Sequence, residues 1–302
     1  MEEVDLGWNR SAAPARAGFW RRFKDKVFSR ALRKSFRNRA RFTLRYPFLL
    51  LKSALVRSTN INSHEFSVLS QHGEDGIIHY VFKRLRIEPR IFVEFGFHPQ
   101  ECNALVPLMR YRTNGLFMDG NREVCDLAVK TFSMLGRNAV VGCHMLRPDT
   151  IDAVISDHGF RGDIDLLSID VDSIDYWLWN SIDGISPKLV VIETSPWLGT
   201  ARAVTMPVDQ ASVDRLSPQP TRNVARGASP AALLALGRSK GYAFLGVDRS
   251  GINMFFLRQD LHESGLFKSS AEGSAEIFAR RAVLGDAEIT ALVNEGLLLT
   301  VT

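Results

Sequence analysis

Asp163-Ile-Asp-Leu-Leu-Ser-Ile-Asp-Val-Asp-Ser173 is the stretch from which the chain is read. Ile164, Leu166, Leu167, Ile169 and Val171 supply its apolar positions, and they fall on both parities. A strand here has two apolar faces, which suits a strand covered on both sides in a parallel sheet. The expected strand, Ile164–Val171, ends in Asp170 and Asp172. Asp175 then opens an expected helix, Tyr176–Ile182. Acids at the carboxyl edge of a buried parallel strand stand where open α/β sheets bind their ligands. The plainer alternative is that they cap the helix and face water.

Outward from this strand, apolar runs and helical patterns alternate. Toward the N-terminus the expected strands are Ile91–Glu94, Gly115–Asp119 and Ala139–Cys143. Helices are expected at Ser70–Leu85, Asn103–Tyr111 (kinked at Pro107), Glu123–Leu135 and Thr150–His158. Leu189–Glu193 is the fifth strand. Repeated strand–helix units of this length imply a parallel sheet with helices on both faces. Thr194–Arg226 lacks periodicity and carries four prolines, as a lid or binding loop does. Ser229 N-caps an expected helix, Pro230–Lys240. Tyr242–Val247 and Ile252–Leu257, joined by Asp248–Gly251, read as a hairpin, and the remainder as largely helical.

The 302 residues are 45% hydrophobic and 24% charged, an ordinary globular balance. The net charge of +5 is unevenly placed. Met1–Asn60 holds 15 Lys/Arg against four acids, a net of +11, so the rest of the chain carries −6. Residues 1–60 therefore read as a basic arm and 61–302 as the folded domain. An acidic body excludes a general nucleic-acid-binding surface. Three cysteines without a Cys-x-x-Cys pair suggest neither a disulfide framework nor a zinc site, and fit a reducing compartment.

Phe19–Phe36 in the arm is a basic amphipathic helix. Trp20, Phe23, Val27 and Ala31 recur at three- and four-residue steps among Lys and Arg. Such a helix can lie in an anionic membrane interface, dock on its own domain with the charges solvated, or bind RNA. Pro47 is expected to interrupt the arm. The apolar run Phe48–Leu51 is far short of a span or a signal-peptide core. The chain reads as cytoplasmic, with a membrane surface as one partner for the arm.

Phe92-Val-Glu-Phe-Gly-Phe97 ends a strand and leads toward a helix. Gly96 allows close backbone approach, and Glu94 can accept hydrogen bonds from a cationic ligand. His98, Pro99 and Gln100 stand where a nucleotide loop has its second glycine. Asp119 ends the next strand, 23 residues after Gly96, where an acid binds ribose hydroxyls. Together these features favour an adenosine-containing cofactor.

Ser70-Gln-His-Gly-Glu-Asp-Gly76, Val93-Glu-Phe-Gly96, Gly115-Leu-Phe-Met-Asp-Gly120, Leu166-Leu-Ser-Ile-Asp-Val-Asp172 and Val191-Ile-Glu193 occur in this order. With Gly227-Ala-Ser229, Gly241–Val247 and Asn253–Leu257, they resemble the FkbM-like S-adenosylmethionine-dependent methyltransferases over about 67–258. The resemblance implies a Rossmann-like class I methyltransferase fold: five parallel strands closed by an antiparallel hairpin into a mostly parallel seven-stranded sheet. It implies that the Val93–Gly96 corner, with Glu94, holds the methionine part of the cofactor and Asp119 the ribose, with contacts near Gln71, Glu74, Asp170 and Asp172. It implies transfer to oxygen of a glycan, and the basic arm adds a glycolipid precursor. A sugar hydroxyl needs help to lose its proton, and Asp170, Asp172, His72 and His144 are the candidates. The Asp pair can also bind Mg²⁺ through oxygen ligands, although S-adenosylmethionine is the cofactor the reading needs. Another nucleotide-binding enzyme on the same sheet, and a non-catalytic membrane-tethered scaffold, are the alternatives.

Overall fold

In the computed structural model, the described residues are 13–111, 113–137, 139–209, 225–263, 265–267 and 271–302, with side chains from Val27 in the first helix and from residue 273 in the helix at 271–281. Five parallel strands lie in the order β3-β2-β1-β4-β5: β1 (Ile91–Phe95), β2 (Asn114–Asp119), β3 (Ala139–Cys143), β4 (Gly162–Ile169) and β5 (Ile185–Glu193). After a short strand, β6 (Val204–Thr205), the hairpin β7 (Tyr242–Val247) and β8 (Asn253–Arg258) closes the sheet. β8 inserts antiparallel between β5 and β7, so Glu193 pairs with Asn253. The sheet is the class I arrangement expected from the sequence.

Helix α1 (Ala13–Leu55) leads into α2 (Glu74–Leu85), α3 (Leu105–Arg110) and α4 (Arg122–Met134). These meet one face of the sheet through Tyr46, Ile77, Leu105, Phe132 and Leu166. α5 (Ile151–Asp157), α6 (Asp175–Ser181), α7 (Pro230–Ser239) and α9 (Ala271–Arg281) cover the other through Ile155, Trp179, Leu233 and Phe278, against Leu167 and Ile169. The short α8 (Gln259–His262) stands between β8 and α9. The last helix, α10 (Asp286–Asn294), packs Ile289 and Leu292 on Leu198 and Val204, and β9 (Leu299–Thr300) pairs with β6. β4 is buried along both faces from Ile164 to Ile169, as its apolar run required. Ser229 accepts the N–H of Ala232 at 3.2 Å and caps α7 with Pro230 at its first position.

Three expectations are corrected. α1 runs unbroken through Pro47; Pro47 and Thr43, whose carbonyl loses its helical donor, both lie on the exposed side, where solvent serves the carbonyl. The helix expected at Asn103–Tyr111 starts at Leu105, so Pro107 falls in its first turn, where no intrahelical donor is needed. β4 ends at Ile169, before Asp170 and Asp172. Asp172 has a left-handed backbone, φ 66°, so the two acids do not share a strand face. The part of the proline-rich loop at 210–224 lies outside the described residues.

α1 lays Val27 and Ala31 against Leu127 of α4, and Tyr46 and Leu49 join the main core. Its loop neighbours are tied down by Asn38 Nδ2, which donates to the Pro99 carbonyl at 2.8 Å, and by the Arg41–Glu101 ion pair at 3.2 Å. No described helix is long and apolar enough to cross a membrane.

Candidate functional site

The carboxyl ends of β1, β2 and β4 open on a cavity of about 680 Å³. Gly96, Asp119, Gly120, Leu146, Asp170 and Asp172 are on its wall. This is the crevice position for ligands in an open α/β sheet, and the volume is that of a nucleotide-sized site. Asp119 accepts the N–H of Asn121 at 2.6 Å through Oδ1 and lines the cavity. Gly96, at φ 65°, has a second reason to be glycine: a Cβ there would lie 1.5 Å from the Asp170 carbonyl oxygen. The β1 and β4 corners thus interlock, and Asp170 N–H donates to the Phe95 carbonyl at 3.1 Å.

Asp170 has a neighbour that the reading of the strand alone omitted. Ile169 pairs with Ile192, so the next residues, Asp170 and Glu193, emerge side by side. Carboxylate oxygens of Asp170, Asp172 and Glu193 all lie within 4.8 Å of one another. Burial, then the charges of Asp170 and Asp175, hold Glu193 well above the usual carboxyl range. Burial also raises Asp170, opposed by its hydrogen bond with Glu193 and by the nearby His72. Both carboxyls are raised, Glu193 the more, and a proton shared across their hydrogen bond is the usual resolution of such crowding. Asp175 sits beneath them, fully buried. Burial and the charge of Asp170 push it up to about 7, and its Oδ1 accepts the Val171 N–H at 2.9 Å. Asp172, Asp175, Glu193 and Arg226 enclose an adjoining cavity of about 150 Å³. Among the described residues, the Nε of Arg226 is buried without a hydrogen-bond partner. Three carboxylates at this spacing fit a hard divalent cation by donor type. The shared proton relieves the same repulsion without one.

The other expected site residues are distributed differently. Glu94 is 3% exposed and away from the cavity wall. Its two oxygens accept the N–H groups of Asn103 (2.7 Å) and Ala104 (2.8 Å), which hold the approach to α3. Burial pushes Glu94 up to about 8 against the pull of those donors. Glu74 is likewise buried. It accepts from Asn253 Nδ2 at 2.8 Å and from the His72 N–H at 2.7 Å, and burial raises it to about 7. Gln71 is exposed and outside the cavity lining. The ring of His144 stands edge-on to His158 at 5.1 Å, also outside the lining, although the next residue, Met145, is on the wall. Asp119, Gly96, Asp170 and Asp172 are therefore brought together; Gln71, Glu94 and His144 are not.

No protein-family model matches the chain, and no curated protein does. Among solved structures, the chain is similar to the N-terminal domain of EvdMO1, crystallised in the presence of SAH and D-fucose. That similarity is 13% identity over 62% of this chain and 84% of that one, with a TM-score of 0.42. The O-methyltransferase from Bacillus cereus in complex with SAH is 13% identical over 70% and 90%, TM-score 0.40. The O-methyltransferase TomG from Streptomyces achromogenes, involved in tomaymycin synthesis and solved with SAM, is 16% identical over 69% and 92%, TM-score 0.38.

Proposed function

We propose that this chain is an FkbM-like, S-adenosylmethionine-dependent methyltransferase that acts on a hydroxyl oxygen of a glycan or glycolipid precursor. One observation carries the reading: a nucleotide-sized cavity is lined by a ribose-type acid, Asp119, and by Asp170, which is paired with Glu193 behind it. The cofactor supplies an electrophilic methyl group. Asp119 receives the ribose hydroxyls through its remaining oxygen. Asp170, the ionised member of the pair, accepts the hydroxyl proton of the acceptor, and Asp172 orients that hydroxyl. Protonated Glu193 holds Asp170 in place and keeps the crowded edge from carrying three full charges. General base help of this kind is worth about 10²–10⁴-fold in rate.

The lipid option rests on α1. Phe28, Leu32, Phe36, Leu44, Phe48 and Leu55 are all more than half exposed on a helix with 13 Lys/Arg and one acid. This composition fits peripheral seating on an anionic membrane. Calorimetry with S-adenosylhomocysteine and with NAD tests the cofactor: saturable binding of the first and not the second is expected, and the reverse would give the site to another nucleotide-binding enzyme. Salt-sensitive pelleting with anionic liposomes, lost in Leu32→Asp/Phe36→Asp, tests the membrane seat; unchanged pelleting would remove it.

A further inference from the structure

On another side of the cofactor-sized cavity lies one of about 430 Å³, between α1 and the segments that follow β1 and β2. We propose that it binds a phosphate-bearing group, a pyrophosphate or a phosphomonoester.

Arg30, Arg33, Lys34 and Arg37 line it from one side of α1, and His98 and Gln100 from the other wall. The four cations recur at three- and four-residue steps, so they crowd one helix face. Glu123 is the one carboxylate among its described lining residues, and Arg30 takes it in an ion pair. Among the described residues, Arg33 and Arg37 have no ion-pair partner. Among the described residues, the hydrogen-bond partners of Lys34 are neutral groups: its Nζ is 2.9 Å from His98 Nε2 and donates to Gln100 Oε1 at 2.8 Å. Burial, then the charges of Arg37 and Arg30, hold Lys34 below the usual lysine range, against the opposing charge of Glu101, which is itself paired with Arg41. Like charges this close disfavour the arrangement unless an anion joins it. Guanidinium groups with a lysine suit a tetrahedral dianion, since planar forks and a point charge can share its oxygens.

Position gives the site its use. The segment after β1 supplies Gly96 to the larger cavity and His98 and Gln100 to this one; the segment after β2 supplies Gly120 and Asn121 in the same way. His98 and Gln100 occupy the place where the sequence lacks the second glycine of a nucleotide loop, and here they buttress a cation instead. A ligand anchored by its phosphate lies beside the larger cavity, across the segments that follow β1 and β2. The phosphate belongs either to a soluble sugar phosphate or to a lipid headgroup.

The site is tested with the full chain and inorganic pyrophosphate at matched ionic strength, by calorimetry. Saturable binding is expected, weakened at least about tenfold by Arg33→Glu/Arg37→Glu, the scale of losing charge-assisted contacts. The matched control Arg57→Glu/Arg238→Glu reverses two exposed charges elsewhere and should change affinity less than about twofold; melting curves confirm that both variants fold. Absence of saturable binding overturns the proposal, as does retention in the cavity variant or an equal loss in the control. Glucose 1-phosphate displacing pyrophosphate assigns a soluble source. Pyrophosphate releasing the protein from phosphatidylcholine vesicles doped with phosphatidic acid assigns a lipid one. No methyl transfer is read, so this proposal and the methyltransferase reading fail separately.

Discussion

Glu94 and Glu193 stand near the carboxyl ends of two parallel strands, and burial holds both above the ordinary range of a glutamate. Their partners differ. Glu94 has two backbone N–H groups on its two oxygens and the buried Cys102 thiol beside it, and it lies off the cavity wall. Glu193 faces Asp170 and Asp172 and the wall of a cavity. A buried carboxyl saturated by backbone donors is a clamp between elements. A buried carboxyl whose neighbours are other carboxyls is a place to keep a proton. Burial alone does not separate the two; the identity of the hydrogen-bond donors does.

The largest effect should come from removing the clamp. Glu94→Ala leaves two buried N–H groups without acceptors, each costing roughly 1–3 kcal/mol of desolvation, so a loss of about 2–6 kcal/mol is expected. Glu193→Ala relieves repulsion as it removes a hydrogen bond, and its stability should lie within about 1 kcal/mol of the parent. Urea unfolding of the two variants measures both. Equal losses would erase the distinction.

Activity should show the opposite order. Asp170→Asn is expected to lower turnover about 10²-fold or more, read as transfer of a labelled methyl group to a glycan extract. Asp172→Asn tests charge with little backbone disturbance, because asparagine tolerates the left-handed conformation found there. Its turnover should also fall, by less than that of Asp170→Asn. Glu193→Gln can still donate a hydrogen bond to Asp170 but cannot exchange a proton. If Glu193 serves only to hold Asp170, this variant stays within about tenfold of the parent, below the usual range for loss of an acid–base group. Turnover of Asp170→Asn near that of the parent would reduce the cluster to a helix cap.

Asp119 belongs to neither class, since one oxygen is engaged by Asn121 and the rest faces the cavity. Asp119→Ala should weaken S-adenosylmethionine binding about tenfold to hundredfold, from lost charge-assisted hydrogen bonds of roughly 1.5–3 kcal/mol. Unchanged affinity in a folded variant would remove the ribose assignment.

The strands were legible in the sequence because a two-faced apolar run and its flanking turns are local signals. Ala139–Cys143 and Tyr242–Val247 have the expected bounds to the residue. Asp119, Asp170 and Asp172 were legible for the same reason: each ends a recognisable run. Glu193 was visible as the end of β5 but was not read as part of the site. Its meeting with Asp170 depends on β4–β5 register, a contact 23 residues apart in the chain. An available signal was that acids ending adjacent parallel strands must emerge together. Glu94 looked like a ligand because it sits beside Gly96, yet side chains alternate along a strand, and its own points into the layer beneath α3. His144 follows β3 and its ring turns to His158, a pairing that no local pattern announces. Pro47 misled because propensity penalises a helical proline whatever its face, and here the face is solvent.

Asp175 lies between the two classes: one oxygen accepts a backbone N–H, as Glu94 does, while the charges of Asp170 and Asp172 press on it, as on Glu193. Burial and those charges move it from 3.8 in the unfolded chain to about 7 in the fold. The native state therefore holds a proton that the unfolded chain releases, so the stability from this group is full below the unfolded value and is lost as pH rises toward about 7. Glu74 and Glu94 act in the same direction, with folded values of about 7 and about 8. Melting temperature should consequently decline from pH 5 to pH 8 rather than rise. Asp175→Asn keeps the oxygen that accepts from Val171 and cannot ionise. Its decline should be shallower by about 5 °C, corresponding to roughly 2.5 kcal/mol of linked stability between those pH values in a chain of this size. Calorimetric scans of parent and variant at both pH values measure the difference. Parallel slopes would mean that the Val171 N–H outweighs the neighbouring charges and that Asp175 is an ionised clamp; a shallower slope places it with Glu193, among the groups that keep protons at the sheet's edge.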